Sequence, residues 1–228
     1  MINPSLWAEL LAYGSGVSIS PIHIGLMLLL LLGPNPLRRG GLLLLSWLAT
    51  IALMVTLLLT VGHSLLLTMQ QGSSHRTGLD LLAAGALLAL GMKELLESRE
   101  DGKEPPGWTR QLDRFCAMPL PLLLGASCAI EAVSPDDLFL MAKTASALLS
   151  AGLTSTEEVL YTAGFTVASS LALLLPFLAV VIGRHQVVPL LEKGKQLLFS
   201  NGDVLVGGLS LVLAGYLGWQ GIEGLQLG

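Results

Sequence analysis

The chain has 228 residues, of which 53% are hydrophobic and 12% charged, with a formal net charge of −4 and a mean hydropathy of +0.72. A soluble domain carries roughly 25% charged residues, so this composition excludes a water-soluble globular fold, and the acidic balance without a basic patch excludes nucleic acid as a partner. The apolar residues gather into stretches of about 20, enough to cross a hydrocarbon core of about 30 Å, which makes the lipid bilayer the first partner.

Breakers and charges read as span ends predict an all-α polytopic membrane protein with six elements, at 6–32, 41–61, 78–96, 120–151, 159–182 and 204–225. Residues 1–11 lack the Lys or Arg that opens a secretory signal, so the first run reads as a retained span. The first and fourth elements are too long for simple helices. Each is expected as two half-helices meeting at a Ser-Pro pair, Ser20-Pro21 and Ser134-Pro135, because proline removes a backbone donor and clashes with the carbonyl four residues back. Pro176 is expected to kink the fifth span and act as a hinge. Residues 187–199, with Leu190, Leu191, Leu197 and Leu198 set against Glu192, Lys193 and Lys195, are expected as an amphipathic surface helix or a plain connector. Trp7 and Trp219 fit interfacial anchoring, and Gly215, Gly218, Gly221 and Gly224 give the sixth span a close-packing surface.

The two breaks point to an internal duplication. Ser20–Met27 aligns with Ser134–Met141 through the shared Ser-Pro and Leu-Met, and Ala84-Gly85, Leu87, Gly91 and Leu95 align with Ala214-Gly215, Leu217, Gly221 and Leu225. Three spans per copy make the second copy enter from the opposite side, an inverted 3+3 repeat as in many secondary transporters. The expected division is residues 1–97 as repeat 1, 98–117 as a cytoplasmic linker around Pro105-Pro106-Gly107, and 118–228 as repeat 2. Basic residues cluster in three connections, at Arg38 and Arg39, at Arg99, Lys103, Arg110 and Arg114, and at Arg184, Lys193 and Lys195. The opposite face has Arg76. The positive-inside rule then puts those connections in the cytoplasm and both termini on the outer face.

Ionisable residues inside a membrane are expensive and usually face the protein interior or water. The fourth element has Glu131 before its break, Asp136 and Asp137 just after it, and Lys143 two turns on. Asp136 and Asp137 suit the positive end of the half-helix starting at Pro135. They either cap that helix, or one of them titrates or binds a cation while the other caps, since two adjacent carboxylates in low dielectric do not both ionise easily. In repeat 1 the same positions are Ile22 and His23. His23 is either a packing residue or a proton relay that lies near the fourth element if the two breaks meet at a pseudo-two-fold axis. No catalytic triad, nucleotide loop or His-rich metal spacing stands in a usable context, so neither an enzyme nor a cofactor or metal site is expected. Cys116 and Cys128 permit at most one disulfide and form no Cys-x-x-Cys motif.

The run Ser20-Pro21-Ile22-His23-Ile24, the Arg38-Arg39-Gly40 end of the first connection, Ser134-Pro135-Asp136-Asp137-Leu138, and Pro176 followed by Pro189-Leu190-Leu191 resemble the glycolipid-addressing (sulfolipid-addressing) family within the lysine-exporter superfamily. The resemblance covers nearly the whole chain. It implies a six-span bacterial inner-membrane protein that exports or translocates a glycolipid or another envelope lipid. The Asn-Pro-Gly signature of the amino-acid exporters in that superfamily is replaced here by Ser-Pro, which weakens a lysine-export reading.

The expected function is secondary transport of a lipid or amphiphile, coupled to protons or ions at the breaks. Asp136 and Asp137 are the coupling groups, Glu131 and His23 their partners, and Lys143 a charge balance or anionic-substrate contact. Export of a small cationic solute or metal ion is the second reading. A non-transporting accessory subunit, as a homo-oligomer or within a larger membrane complex, is the third. A membrane thiol oxidoreductase would need one thiol per repeat, and Cys128 aligns with Gly14.

Overall fold

The computed structural model describes residues 3–64, 73–100, 116 and 118–227. Among them the regular structure is helical throughout: α1 (Pro4–Ser18), α2 (Pro21–Leu32), α3 (Pro36–Ser64), α4 (Ser74–Glu100), α5 (Leu120–Val133), α6 (Pro135–Ser150), α7 (Ser155–Ala168), α8 (Leu171–Gly183), a 3-10 turn at Arg184–Val187, and α9 (Val188–Leu227). Helix α3 is by itself long and apolar enough to cross a membrane. It buries a stripe at four-residue spacing, Leu43, Trp47, Ile51, Val55 and Leu59, while Leu45, Leu53 and Leu57 face outward. In water a helix would make that outer face polar; its leucines fit an integral membrane protein whose outer surface is solvated by lipid.

Both Ser-Pro sites interrupt helices as the sequence predicts. Helices α1 and α2 meet at a 63° bend, with Pro21 in the first turn of α2 and Ser20 as its N-cap. Ser134 separates α5 from α6 in the same way, with Pro135 opening α6. Proline suits a first helical turn, where its missing N–H would have no intrahelical partner.

The fifth element departs from expectation. Its 67° bend lies between α7 and α8, at Ser169-Ser170, and Pro176 sits inside α8. The cause is a cluster of hydroxyls. Thr166, Ser169 and Ser170 each donate to the carbonyl four residues back, at 2.8, 2.8 and 2.6 Å, a back-bonding pattern that bends helices. Partners from other helices then take the backbone groups exposed at the bend. Trp47 Nε1 donates to the Ser169 carbonyl at 3.3 Å, and the Ala172 N–H donates to Ser18 Oγ at 2.8 Å.

The sixth element also differs, because the amphipathic segment and the last span are one continuous helix, α9. Its two halves, Val188–Gly202 and Gly207–Gln226, are inclined by 67°. Helix α4 runs antiparallel along the second half, their most extensive pairing. A Cβ on Gly91 would lie 2.9 Å from the Gly207 carbonyl oxygen, and one on Gly207 would lie 3.0 Å from the Gly91 oxygen. Only glycine permits that backbone approach. Gly221 and Gly224 pack in the same seam against Leu81 and Thr77, whereas Gly215 faces open space. Trp7 is packed between helices, its ring 4.8 Å from that of Tyr161, while Trp219 is 66% exposed. The expected linker begins as the end of α4; residues 101–115 lie outside the described residues.

Candidate functional site

Three helix interruptions converge on one buried polar centre. The first turn of α2 presents His23 inward, where it is almost wholly buried. Ser20, the residue before Pro21, places its Oγ 2.9 Å from His23 Nδ1. On the other side of the ring, Nε2 lies 3.4 Å from the Ser127 carbonyl of α5. A carbonyl only accepts, so this contact assigns the proton to Nε2, and the Ser20 hydroxyl then donates to Nδ1.

Glu131 comes from the same face of α5 as Ser127, one turn on. It is 1% exposed, and its Oε2 stands 3.9 Å from His23 Nδ1. The ring of Trp47, from α3, lies 4.3 Å from the imidazole, centroid to centroid. Because the same indole donates to Ser169, one side chain ties the histidine to the α7–α8 bend. A second proton on His23 would enter at Nδ1, facing both Ser20 Oγ and Glu131. The arrangement can hold a proton on either partner, and the low dielectric around it discourages the state with a lone charge.

The remaining predicted residues divide. Asp137 is buried in the first turn of α6, beside the second break, as the sequence suggests. The side chains of Pro135 and Asp136 lie outside the described residues. Lys143, two turns along α6, is turned away from this centre. It is fully buried in direct contact with Asp80 of α4, and its ammonium sits 5.7 Å from the centre of the Tyr13 ring.

Around that pair is a second polar group that the sequence patterns do not single out. Tyr13 Oη donates to Gln220 Oε1 at 3.1 Å, and Gln220 Nε2 donates to Tyr216 Oη at 3.0 Å. Arg76 donates to Glu9 at 3.5 Å and to Ser150 Oγ at 3.3 Å. Glu9, Arg76, Asp80, Tyr216, Gln220 and Glu223 line a cup of about 280 Å³. Asp80 had a legible signal, being an acid inside an apolar span. The hydroxyls of Ser18, Ser169 and Ser170 had none beyond their residue type.

Among the described residues no group of three or more His, Cys, Asp and Glu side chains is gathered closely enough to hold a metal ion. Cys116 and Cys128 are half-buried and are not joined in a disulfide.

The sequence profile of the family described as Sap, sulfolipid-1-addressing protein, matches residues 10–223, from α1 to the end of α9. Searches of curated proteins and of solved structures found no match.

Proposed function

Because the chain belongs to the sulfolipid-1-addressing protein family, we propose that it is a secondary transporter that exports a lipid or amphiphile across a bacterial inner membrane, with proton or ion coupling at the helix breaks. The observation that carries this reading is the His23–Glu131 pair, buried between two helix interruptions in a membrane interior. Buried ionisable groups at broken helices are the usual place where a transporter couples an ion to a movement. The proposed architecture is six spans as an inverted repeat, α1 to α4 and α5 to α9, with the basic connections in the cytoplasm and both termini outside. In the proposed cycle His23 and Glu131 exchange a proton while α2 and α6 tilt about their proline-led first turns. Asp137 and Asp136 share the electrostatics of the second break.

Flux of a labelled acidic glycolipid in proteoliposomes, with and without an imposed pH gradient, tests this. Glu131→Gln and Asp137→Asn should each reduce gradient-driven flux. Unimpaired flux in the double variant would remove the coupling proposal. A second reading, an accessory subunit without transport, is favoured by the buried Lys143–Asp80 pair and the Arg76–Glu9 pair, in which the charges are matched within the bundle. Absence of any flux in the native protein, with those pairs intact, would support it.

A further inference from the structure

Two grooves of about 670 Å³ each open on the sides of the bundle, within the range of small-ligand sites. They differ in charge. The groove between α3 and α7 is bounded by His63 and Glu158, whose side chains bind each other at 2.9 Å, so neither is left to select a charged ligand. The other is enclosed by α2, α8 and the first half of α9. Its floor and walls are apolar, with Leu28, Leu175, Ala179, Leu191 and Leu198 among them, and the one charged residue lining it, among the described residues, is the exposed Lys193.

We propose that this second groove is a binding site for an anionic lipid, with one acyl chain laid along α8 and the acidic headgroup on Lys193. The ligand class follows from the chemistry of the two ends. A long apolar trough in a membrane protein takes a hydrocarbon chain, and a lone ammonium at its mouth selects a phosphate, sulfate or carboxylate over a zwitterionic head. Helix α9 is shaped for it. The Val188–Gly202 half leaves the direction of the second half by 67°, which holds Leu190, Leu191, Leu197 and Leu198 across the groove from α8 and leaves Lys193 at the rim. Gly194, beside Lys193 in the lining, has open space where a side chain would stand, so the mouth is clear. Pro176 lies in the opposite wall. Ile24, the residue after His23, is also in the lining, so an occupant would lie against the helix that carries the proposed coupling centre. This site deepens the transport reading by naming where the amphiphile sits.

The test is photocrosslinking of the purified full-length protein. Probes are phosphatidylglycerol and phosphatidylcholine carrying the same diazirine-labelled acyl chain, with adducts mapped by mass spectrometry. Phosphatidylglycerol adducts are expected on the peptides around Leu175–Ala179 and Leu190–Leu198. Lys193→Gln should lower them about fivefold, the equivalent of the roughly 1 kcal/mol that a basic residue gains near an anionic lipid surface. Lys193→Arg should retain them, and Gly194→Leu should block both lipids. Equal labelling by the two lipids, no effect of Lys193→Gln, or adducts spread evenly over the outer helix faces would each overturn the proposal. Glu131→Gln separates the two readings, because it should abolish coupled flux and leave the groove adducts unchanged. Groove labelling in a protein without flux would sink the transport reading and keep the site.

Discussion

His23 and Glu131 stand 3.9 Å apart beside two helix breaks, with a serine hydroxyl on the same imidazole nitrogen. Lys143 and Asp80, by contrast, are in direct contact away from the breaks, beside the ring of Tyr13. Both pairs are buried, and the difference is in what surrounds them. The first sits where the ends of α2, α5 and the α7–α8 bend meet, so a change of protonation there faces groups that can move as half-helices. The second joins α4 to α6 further along the helix from the break, where it ties that half-helix to a neighbour. In the proposed transport reading, burial of charge alone does not mark the coupling site; its coincidence with broken helices does.

Removing one partner of the tight pair should give the largest effect. Lys143→Met leaves Asp80 buried without its cation and should destabilise the protein by about 3 to 5 kcal/mol, read as a large drop in thermal unfolding temperature in detergent. The double change Lys143→Met, Asp80→Leu should recover much of that loss, since an apolar replacement of a buried ion pair is often neutral. A harmless Lys143→Met would show that the pair does not hold α4 to α6. Next in size is Gly91→Leu, which pushes α4 from α9 at their closest approach and should destabilise by about 1 to 3 kcal/mol. Because α4 carries Asp80, that variant should disturb the tight pair while the His23 centre stays ordered, which tryptophan fluorescence from Trp47 can report. The smallest effect is expected for Ser18→Ala. It strips the hydroxyl that caps the Ala172 N–H and should cost about 1 kcal/mol, as for other lost helix caps, with the loss confined to the α7–α8 bend in hydrogen exchange.

The parts of the fold that the sequence announces are those where one residue type acts locally. Pro21 and Pro135 each follow a serine and suit a first helical turn, so both breaks are legible in the residue order alone. Gly91, Gly207, Gly221 and Gly224 likewise mark the α4–α9 seam by their missing side chains. The α7–α8 bend is hidden because Pro176 offers a stronger local signal than Ser169 and Ser170, yet Pro176 is carried inside α8. There the bend depends on hydroxyls that bond back into α7 and on backbone groups that find partners from α1 and α3, which no local pattern encodes. Lys143 shows the same limit. Its neighbours in sequence, Asp136 and Asp137, are acidic, but helix packing gives it Asp80, 63 residues away in the chain.

Gradient-driven flux in proteoliposomes, comparing the native protein with Glu131→Gln and with Lys143→Met, Asp80→Leu, tests the central claim most directly. Glu131→Gln is expected to fold normally yet lose at least about tenfold in driven flux, the equivalent of about 1.4 kcal/mol, while the doubly apolar variant keeps most of its coupling. Full coupling in Glu131→Gln, or its loss only in the Lys143 and Asp80 variant, would contradict the assignment of proton exchange to the helix breaks.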